Sequence, residues 1–235
     1  MTPPPQPEPW DFWQDASRSP AANMAIDEAL LLTSAERGRP MLRFYRWDRL
    51  AVSIGYVQKA AAAPEGYAVV RRPTGGGIVY HDHDFTYTVI LPAGHWLTQV
   101  DRVASYGAIN HAVKCGLEHL RLTASLSDLE ISTTVDRGSM VCFQHPTKYD
   151  ILANGEKISG SAQRRTRDGI LHQGSIHFGG PLPCDWTAMA ASLKAAFIEN
   201  LKAQFSDFTP PPSLLDTAVQ LEKERYACDE WNQRR

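Results

Sequence analysis

Alternation and helical spacing divide the chain into an opening arm, a β-rich middle and a helical end. Residues 1–20 hold six of the 16 prolines and no periodic apolar pattern, so they are expected to form a loose arm or a segment packed over the surface. Asn23–Arg37 predicts a helix, with Asn23 as its cap and Ile26, Ala29, Leu30 and Thr33 on one face. Short runs rich in β-branched and aromatic residues follow at Leu42–Trp47, Ala51–Ile54, Ala68–Arg72, Ile78–Tyr80 and Phe85–Leu91. Val103, Tyr106, Ile109, Val113 and Leu117 then predict a helix over Val103–Leu120, and 124–140 reads as loop.

Turn chemistry organises the next stretch. Asn154-Gly155 and Asp168-Gly169 are two-residue hairpin signals, because type I′ turns need positive φ. They predict a meander of Lys148–Ala153, Glu156–Arg167 and Ile170–Phe178. Counting from the first turn sets Lys157 opposite Leu152 and Ser159 opposite Asp150. Lys157, Ser159, Ser161 and Gln163 then share one face with His172 and Gly174, unless Gly160 introduces a bulge. After Pro181, Trp186–Gln204 and Ser213–Tyr226 read as helices separated by Pro210-Pro211-Pro212. The fold class expected is α+β, a mixed and largely antiparallel sheet flanked by helices, with 21–235 as one catalytic domain behind the 1–20 arm.

Composition narrows the function classes. Of 235 residues, 43% are hydrophobic and 21% charged, and the net charge of −2 gives no bulk hold on nucleic acid. No apolar run approaches the ~18 residues of a membrane span, and Met1–Trp10 lacks a signal-peptide pattern. Cys115, Cys142, Cys184 and Cys228 fit no CxxC or zinc spacing, so they read as reduced thiols in a cytoplasmic protein. His81 and His83 lack a third ligand at suitable spacing, and no metal is expected.

Two segments carry candidate chemistry. Arg71-Arg72-Pro73-Thr74-Gly75-Gly76-Gly77 leads through Ile78-Val79-Tyr80 to His81-Asp82; consecutive glycines let backbone approach a ligand and aim N–H groups at an oxygen. It is neither a Walker A loop nor a GxGxxG fingerprint. Lys157-Ile158-Ser159-Gly160-Ser161-Ala162-Gln163 places small residues beside a lysine, as a cleft wall would. Taken singly, the first reads as a glycine-rich turn and the second as an edge strand.

Together, and with Leu171-His172-Gln173-Gly174-Ser175-Ile176 and the opening helix Asn23–Leu30, these segments resemble the biotin/lipoate protein ligase superfamily, in its lipoate and octanoate branch. The resemblance spans roughly residues 20–180 in the family's order. It implies a biotin/lipoate ligase catalytic-domain-like fold with a tunnel for a medium-length acyl chain. The glycine segment would wall the headgroup site, with Lys157 at the acyl carbonyl and His81 bracing the glycines. His172 would reach the cleft, and Trp10, Trp13 and Trp47 would pack rather than touch ligand.

Within that superfamily, Val141-Cys142-Phe143 resembles the segment of the cysteine-dependent octanoyltransferases. The thiolate is the nucleophile, and a nearby ammonium such as Lys157 favours it. This implies a Cys142 acyl-enzyme, octanoyl-acyl carrier protein as donor, and a lipoyl domain or glycine cleavage H protein as acceptor. No cofactor is required on that reading. The alternatives are an ATP-dependent lipoate ligase, which would need ATP and Mg, and an amidotransferase moving octanoyl between lipoyl-accepting proteins. About 55 residues follow the last motif, too few for the extra domain of many ligases.

Overall fold

The computed structural model describes residues 6–60, 65–129, 141–144 and 146–234. In chain order the elements are β1 (Glu8–Arg18), α1 (Pro20–Leu32), α2 (Ser34–Arg37), β2 (Met41–Trp47), β3 (Ala51–Ile54), β4 (Ala68–Arg71), β5 (Val79–His81), β6 (Phe85–Pro92), α3 (Trp96–Gln99) and α4 (Arg102–His119). There follow β7 (Ser125–Leu126), β8 (Ile151–Ala153), β9 (Glu156–Thr166), β10 (Gly169–Ile176), α5 (Trp186–Leu201), β11 (Ala203–Asp207), α6 (Pro212–Leu221) and α7 (Asp229–Asn232).

Eight strands form one sheet in the order β11-β1-β2-β6-β10-β9-β8-β7. β1 runs parallel to both its neighbours, and every other pairing is antiparallel. A second sheet, β4-β3-β5, is smaller. The fold is therefore α+β with a mixed, largely antiparallel sheet.

Two expectations fail at the ends. Glu8–Arg18 is no loose arm but an 11-residue strand inside the sheet. Its apolar side chains Trp10, Phe12 and Trp13 are buried, and between two parallel partners the backbone needs no periodic sequence signal. Likewise the run to Gln204 does not stay helical: Lys202 adopts a left-handed conformation (φ 56°), ends α5 and starts β11. At the opening helix, Ser19 rather than Asn23 is the cap, accepting from the Ala22 N–H, with Pro20 in the first turn. Asn23 is buried, and its amide donates to the Arg46 carbonyl.

The large sheet has two covered faces. One carries Phe44, Tyr87, Val89, Ile158, Ile170 and Ile176 against α4 and α5. The other carries Met41, Tyr45, Ile90 and Leu171 against α1 and α6. A buried ion cluster ties α1 to this second face. Arg43 on β2 reaches Asp27 of α1 at 2.6 Å and Asp15 of β1 at 2.7 Å. Such a cluster fixes the seat of the helix more than it adds net stability.

The meander forms with two changes of register. The Asn154-Gly155 turn holds, both residues having positive φ, and Lys157 pairs with Leu152. The second turn is Arg167-Asp168, since Gly169 already pairs with Thr166. The more consequential change is a bulge: Leu152 pairs with Lys157, but Ile151 pairs with Ser159, not Asp150 with Ser159. One extra residue on β9, Ile158, inverts the alternation beyond Lys157.

Candidate functional site

Because of that bulge, Lys157 shares a face with Gly160 and Ala162, not with Ser159, Ser161 and Gln163. Ser159 pairs with Ile176 and Ile151, both in the core beneath α4 and α5. The Ser161 hydroxyl donates to Asn110 of α4 at 3.0 Å, and Gln163 engages Ser105 of α4. The face of Gly160 and Ala162 borders a cavity.

This cavity lies between the large sheet, α1 and the small sheet. Its walls include Met24 of α1, Ser53 of β3, Val79 and His81 of β5, and Arg72 and Gly76 of the glycine segment. Paired residues of neighbouring strands, Gly160, Ser175, Thr86 and Tyr45, form a row across its floor. It encloses about 410 Å³ of empty space, open mouth included.

Cys142 sits at this cavity in one turn of 3₁₀ helix, Cys142–Gln144. The turn is anchored by the Cys142 N–H donating to the Ile78 carbonyl at 2.9 Å, directly after the glycine segment. Lys157 Nζ lies 3.3 Å from Cys142 Sγ, 2.9 Å from the Cys142 carbonyl oxygen and 2.7 Å from Asp150 Oδ2. The lysine is 8% exposed and Asp150 4%, so the pair is shielded from solvent screening. Burial pulls the lysine ammonium down, but Cys142 and Asp150 outweigh it and set Lys157 above the ordinary lysine range. Burial lifts the Asp150 carboxyl above the usual carboxylate range, against the pull of Lys157.

The two arginines of the glycine segment do different work. Arg72 borders the cavity and donates to the Ser53, Gly75 and Gly77 carbonyls, holding the glycines in a closed loop. Burial pulls its guanidinium down to about 10. Arg71 does not line the cavity. It is fully buried and donates to the carbonyls of Gly55, Gln58, Trp231 and Asn232. Gly76 has φ +86°, and a Cβ on Gly55 would overlap the Gly76 carbonyl oxygen, so this loop lies against the end of β3. Thr74 is buried and donates to Gln173 Oε1 at 2.7 Å. Gly75 and Gly77 contribute carbonyls to Arg72 and do not border the cavity.

His81 is sandwiched. Its ring stacks on Trp47 with centroids 3.9 Å apart, and its nitrogens meet Ser53 Oγ and Asp84 Oδ2, both at 2.8 Å. Asp84 also accepts from Thr86 and Ser175. Burial raises the Asp84 carboxyl, but His81 and these hydroxyls overcome it and hold Asp84 below the usual range. Both His81 nitrogens are thereby engaged within the wall. Trp10 and Trp13 pack in the core, whereas Trp47 borders the cavity.

His172 does not reach the cleft. Its ring lies on the opposite face between Tyr87 and Tyr106, with Nδ1 bonded to Gln163, and burial pushes it down to about 3. Gly174 borders the cavity through its backbone, and its missing side chain makes room for the Tyr87 ring on the far face. The residues of β10 that do face the cavity are Gln173 and Ser175. They, Asp150, Met24, Tyr45 and Thr86 are absent from the sequence-based set. The signal for the β10 pair was present: they alternate with His172 and Gly174, and only the bulge decides which phase faces Lys157.

Residues 19–207 match the model of the lipoyl protein ligase A/B catalytic domain. The octanoyltransferase LipM of Brevibacillus brevis is 31% identical over 97% of this chain and 100% of its own length. The LipM of Bacillus subtilis is 37% identical over 73% of this chain and 66% of its own. Among solved structures, a Thermoplasma acidophilum lipoate protein ligase-type protein with bound lipoic acid superposes with a TM-score of 0.84 at 23% identity, covering 97% of this chain and 100% of that one. Lipoate-protein ligase A bound with ATP gives 0.82 at 23%, covering 96% and 99%. At this identity the two structures speak to the fold alone.

Proposed function

The chain belongs to the lipoyl protein ligase A/B catalytic-domain family, and from that premise we propose that it is an octanoyltransferase working through a Cys142 acyl-enzyme. The donor is an octanoyl thioester of acyl carrier protein. The acceptor is a lysine of a lipoyl-accepting protein, a lipoyl domain or the glycine cleavage H protein. The observation that carries this reading is Lys157 Nζ 3.3 Å from Cys142 Sγ at the wall of the cavity.

The cycle has two displacements. The Cys142 thiolate attacks the thioester carbonyl carbon; a C–S bond to Cys142 forms, the donor's C–S bond breaks, and the donor leaves as a thiolate that takes its proton from solvent. The neutral amine of the acceptor lysine then attacks; the amide C–N bond forms, the bond to Cys142 breaks, and the amine proton passes to solvent. Lys157 stabilises the sulfur anion at the start and end of each turnover. Backbone N–H groups of the glycine segment or of β9 would meet the transient oxyanion. A thioester already stores the free energy of amide formation, so no ATP enters.

The test is native mass spectrometry after incubation with octanoyl-acyl carrier protein. One octanoyl mass should appear, be released by hydroxylamine, and be absent from Cys142→Ala. Turnover of free octanoate with pyrophosphate release, undiminished in Cys142→Ala, would replace this reading with an ATP-dependent ligase.

A further inference from the structure

The lysine stem bends back to the sulfur with a carboxylate, Asp150, buried beside it. Lys157 Nζ has three near acceptors: Asp150 Oδ2, the Cys142 carbonyl oxygen and Cys142 Sγ. An ammonium has three N–H donors and satisfies all of them; a neutral amine has two and leaves one buried acceptor bare. Asp150 is itself immobilised. Its Oδ2 accepts from the Thr147 N–H and hydroxyl, and its backbone bonds Thr147 and Ser127. The stem crosses Gly160, where a Cβ would come within 2.6 Å of Lys157 Cε and 2.8 Å of Nζ. Any side chain at 160 would therefore displace the ammonium.

We propose that Asp150 and Gly160 are positioning residues that hold Lys157 as a fixed ammonium against Cys142, Asp150 by ion pairing and Gly160 by leaving the space the stem crosses. The raised position of Lys157 above the ordinary lysine range agrees with this. The inference deepens the proposed acyl-enzyme reading, on which it rests for its catalytic meaning.

The opposing possibility is that Asp150 is merely a negative charge near the sulfur. The two predict opposite signs. Among the described residues, the charged and titratable groups that act on Cys142 or its lysine are Lys157 of β9, Asp150 before β8, Arg72 of the glycine segment and Tyr106 of α4. The variants below leave the last two intact.

The experiment is alkylation of the full chain by iodoacetamide across a pH series, with Cys142 read by peptide mass mapping. Asp150→Asn and Gly160→Ala should each slow Cys142 alkylation at pH 7 by about tenfold, toward the rate of Lys157→Met. Added to Lys157→Met, Asp150→Asn should change nothing further, because it acts only through the lysine. Faster alkylation in Asp150→Asn, a wild-type rate in Gly160→Ala, or a further change in the double variant would each overturn the proposal. Gly160→Ala adds one methyl and no charge, so it decides the matter if Asp150→Asn fails to fold. Alkylation needs no acyl donor. A missing octanoyl adduct would therefore remove the acyl-enzyme reading and leave this result standing, and the converse outcome would remove this inference alone.

Discussion

Thr74 donates its hydroxyl to Gln173 Oε1 at 2.7 Å, and Gln173 Nε2 in turn donates to Asp27 Oδ2 at 2.8 Å. The glycine segment is thus tied through β10 to the buried carboxylate of α1, which also meets Arg43 and Thr88. Gln173→Met keeps the volume and removes both bonds. The variant should lose about 2 kcal/mol, since a hydrogen bond to a buried charge is worth about 1.5–3 kcal/mol. It should also raise the KM for the octanoyl donor, because Gln173 faces the cavity. Urea unfolding and steady-state kinetics check the two parts; an unchanged unfolding midpoint would rule out the tie.

Lys157→Met leaves the Asp150 carboxylate buried without its cation. Removing one partner of a buried pair costs about 3–5 kcal/mol. The sign with pH follows from the raised Asp150 carboxyl. Without Lys157 to pull it down, it rises further, so the folded variant binds a proton the unfolded chain does not. Its deficit relative to the wild type should then shrink as pH falls below neutrality. Unfolding measured at pH 7 and pH 5 tests this; a deficit that stays constant or grows on acidification contradicts it.

How much of this was legible in the sequence can be argued from β9. The Asn154-Gly155 turn fixes Lys157 opposite Leu152, because local turn geometry sets register. One residue later the extra Ile158 reverses the phase, and no local signal demands it. Its cause is tertiary: Ile158 fills the core under α4 and α5 while Lys157 turns to Cys142. An unbulged count therefore puts His172 and Ser159 on the cavity face and leaves Gln173 and Ser175 off it, the reverse of the structure for His172, Gln173 and Ser175. Strand β1 was hidden for another reason. Proline-rich composition argues against a strand, but the prolines at 7 and 9 stand near its start, where pairing tolerates them. The Cys142–Lys157 pairing came from family resemblance alone, because a 15-residue separation fixes no distance.

Arg71 should behave as a clamp. Its guanidinium joins the Gly55 and Gln58 carbonyls to those of Trp231 and Asn232, and the Trp231 indole N–H returns a bond to the Arg71 carbonyl. Lysine keeps the charge but not the planar fork, and its three N–H donors would leave at least one of these four carbonyls without a donor. Arg71→Lys is expected to lose about 2–3 kcal/mol. It should also raise amide exchange in Asp229–Asn232 ahead of the sheet. Hydrogen exchange with mass spectrometry resolves that segment, and wild-type protection there would show that α7 is held by other contacts.

His172 gives the chain a titration on its acid side. Burial depresses its folded value to about 3, against about 6.5 in an unfolded chain. Between those values the unfolded chain binds a proton that the native state excludes, so stability is present near neutral pH and lost as pH falls through 6.5 toward 3. One such proton contributes a slope of about 1.4 kcal/mol per pH unit once the unfolded imidazole is fully charged. The ring is completely buried, with Nε2 unpartnered, so no compensating bond awaits the charged form. His172→Phe removes this titration and forfeits only the Gln163 contact. Between pH 5.5 and 4.5 the wild type should lose about 1 kcal/mol more than the variant, measured by urea unfolding. Equal losses in the two proteins would mean that His172 takes up its proton without unfolding, and that the pocket between Tyr87 and Tyr106 opens to water.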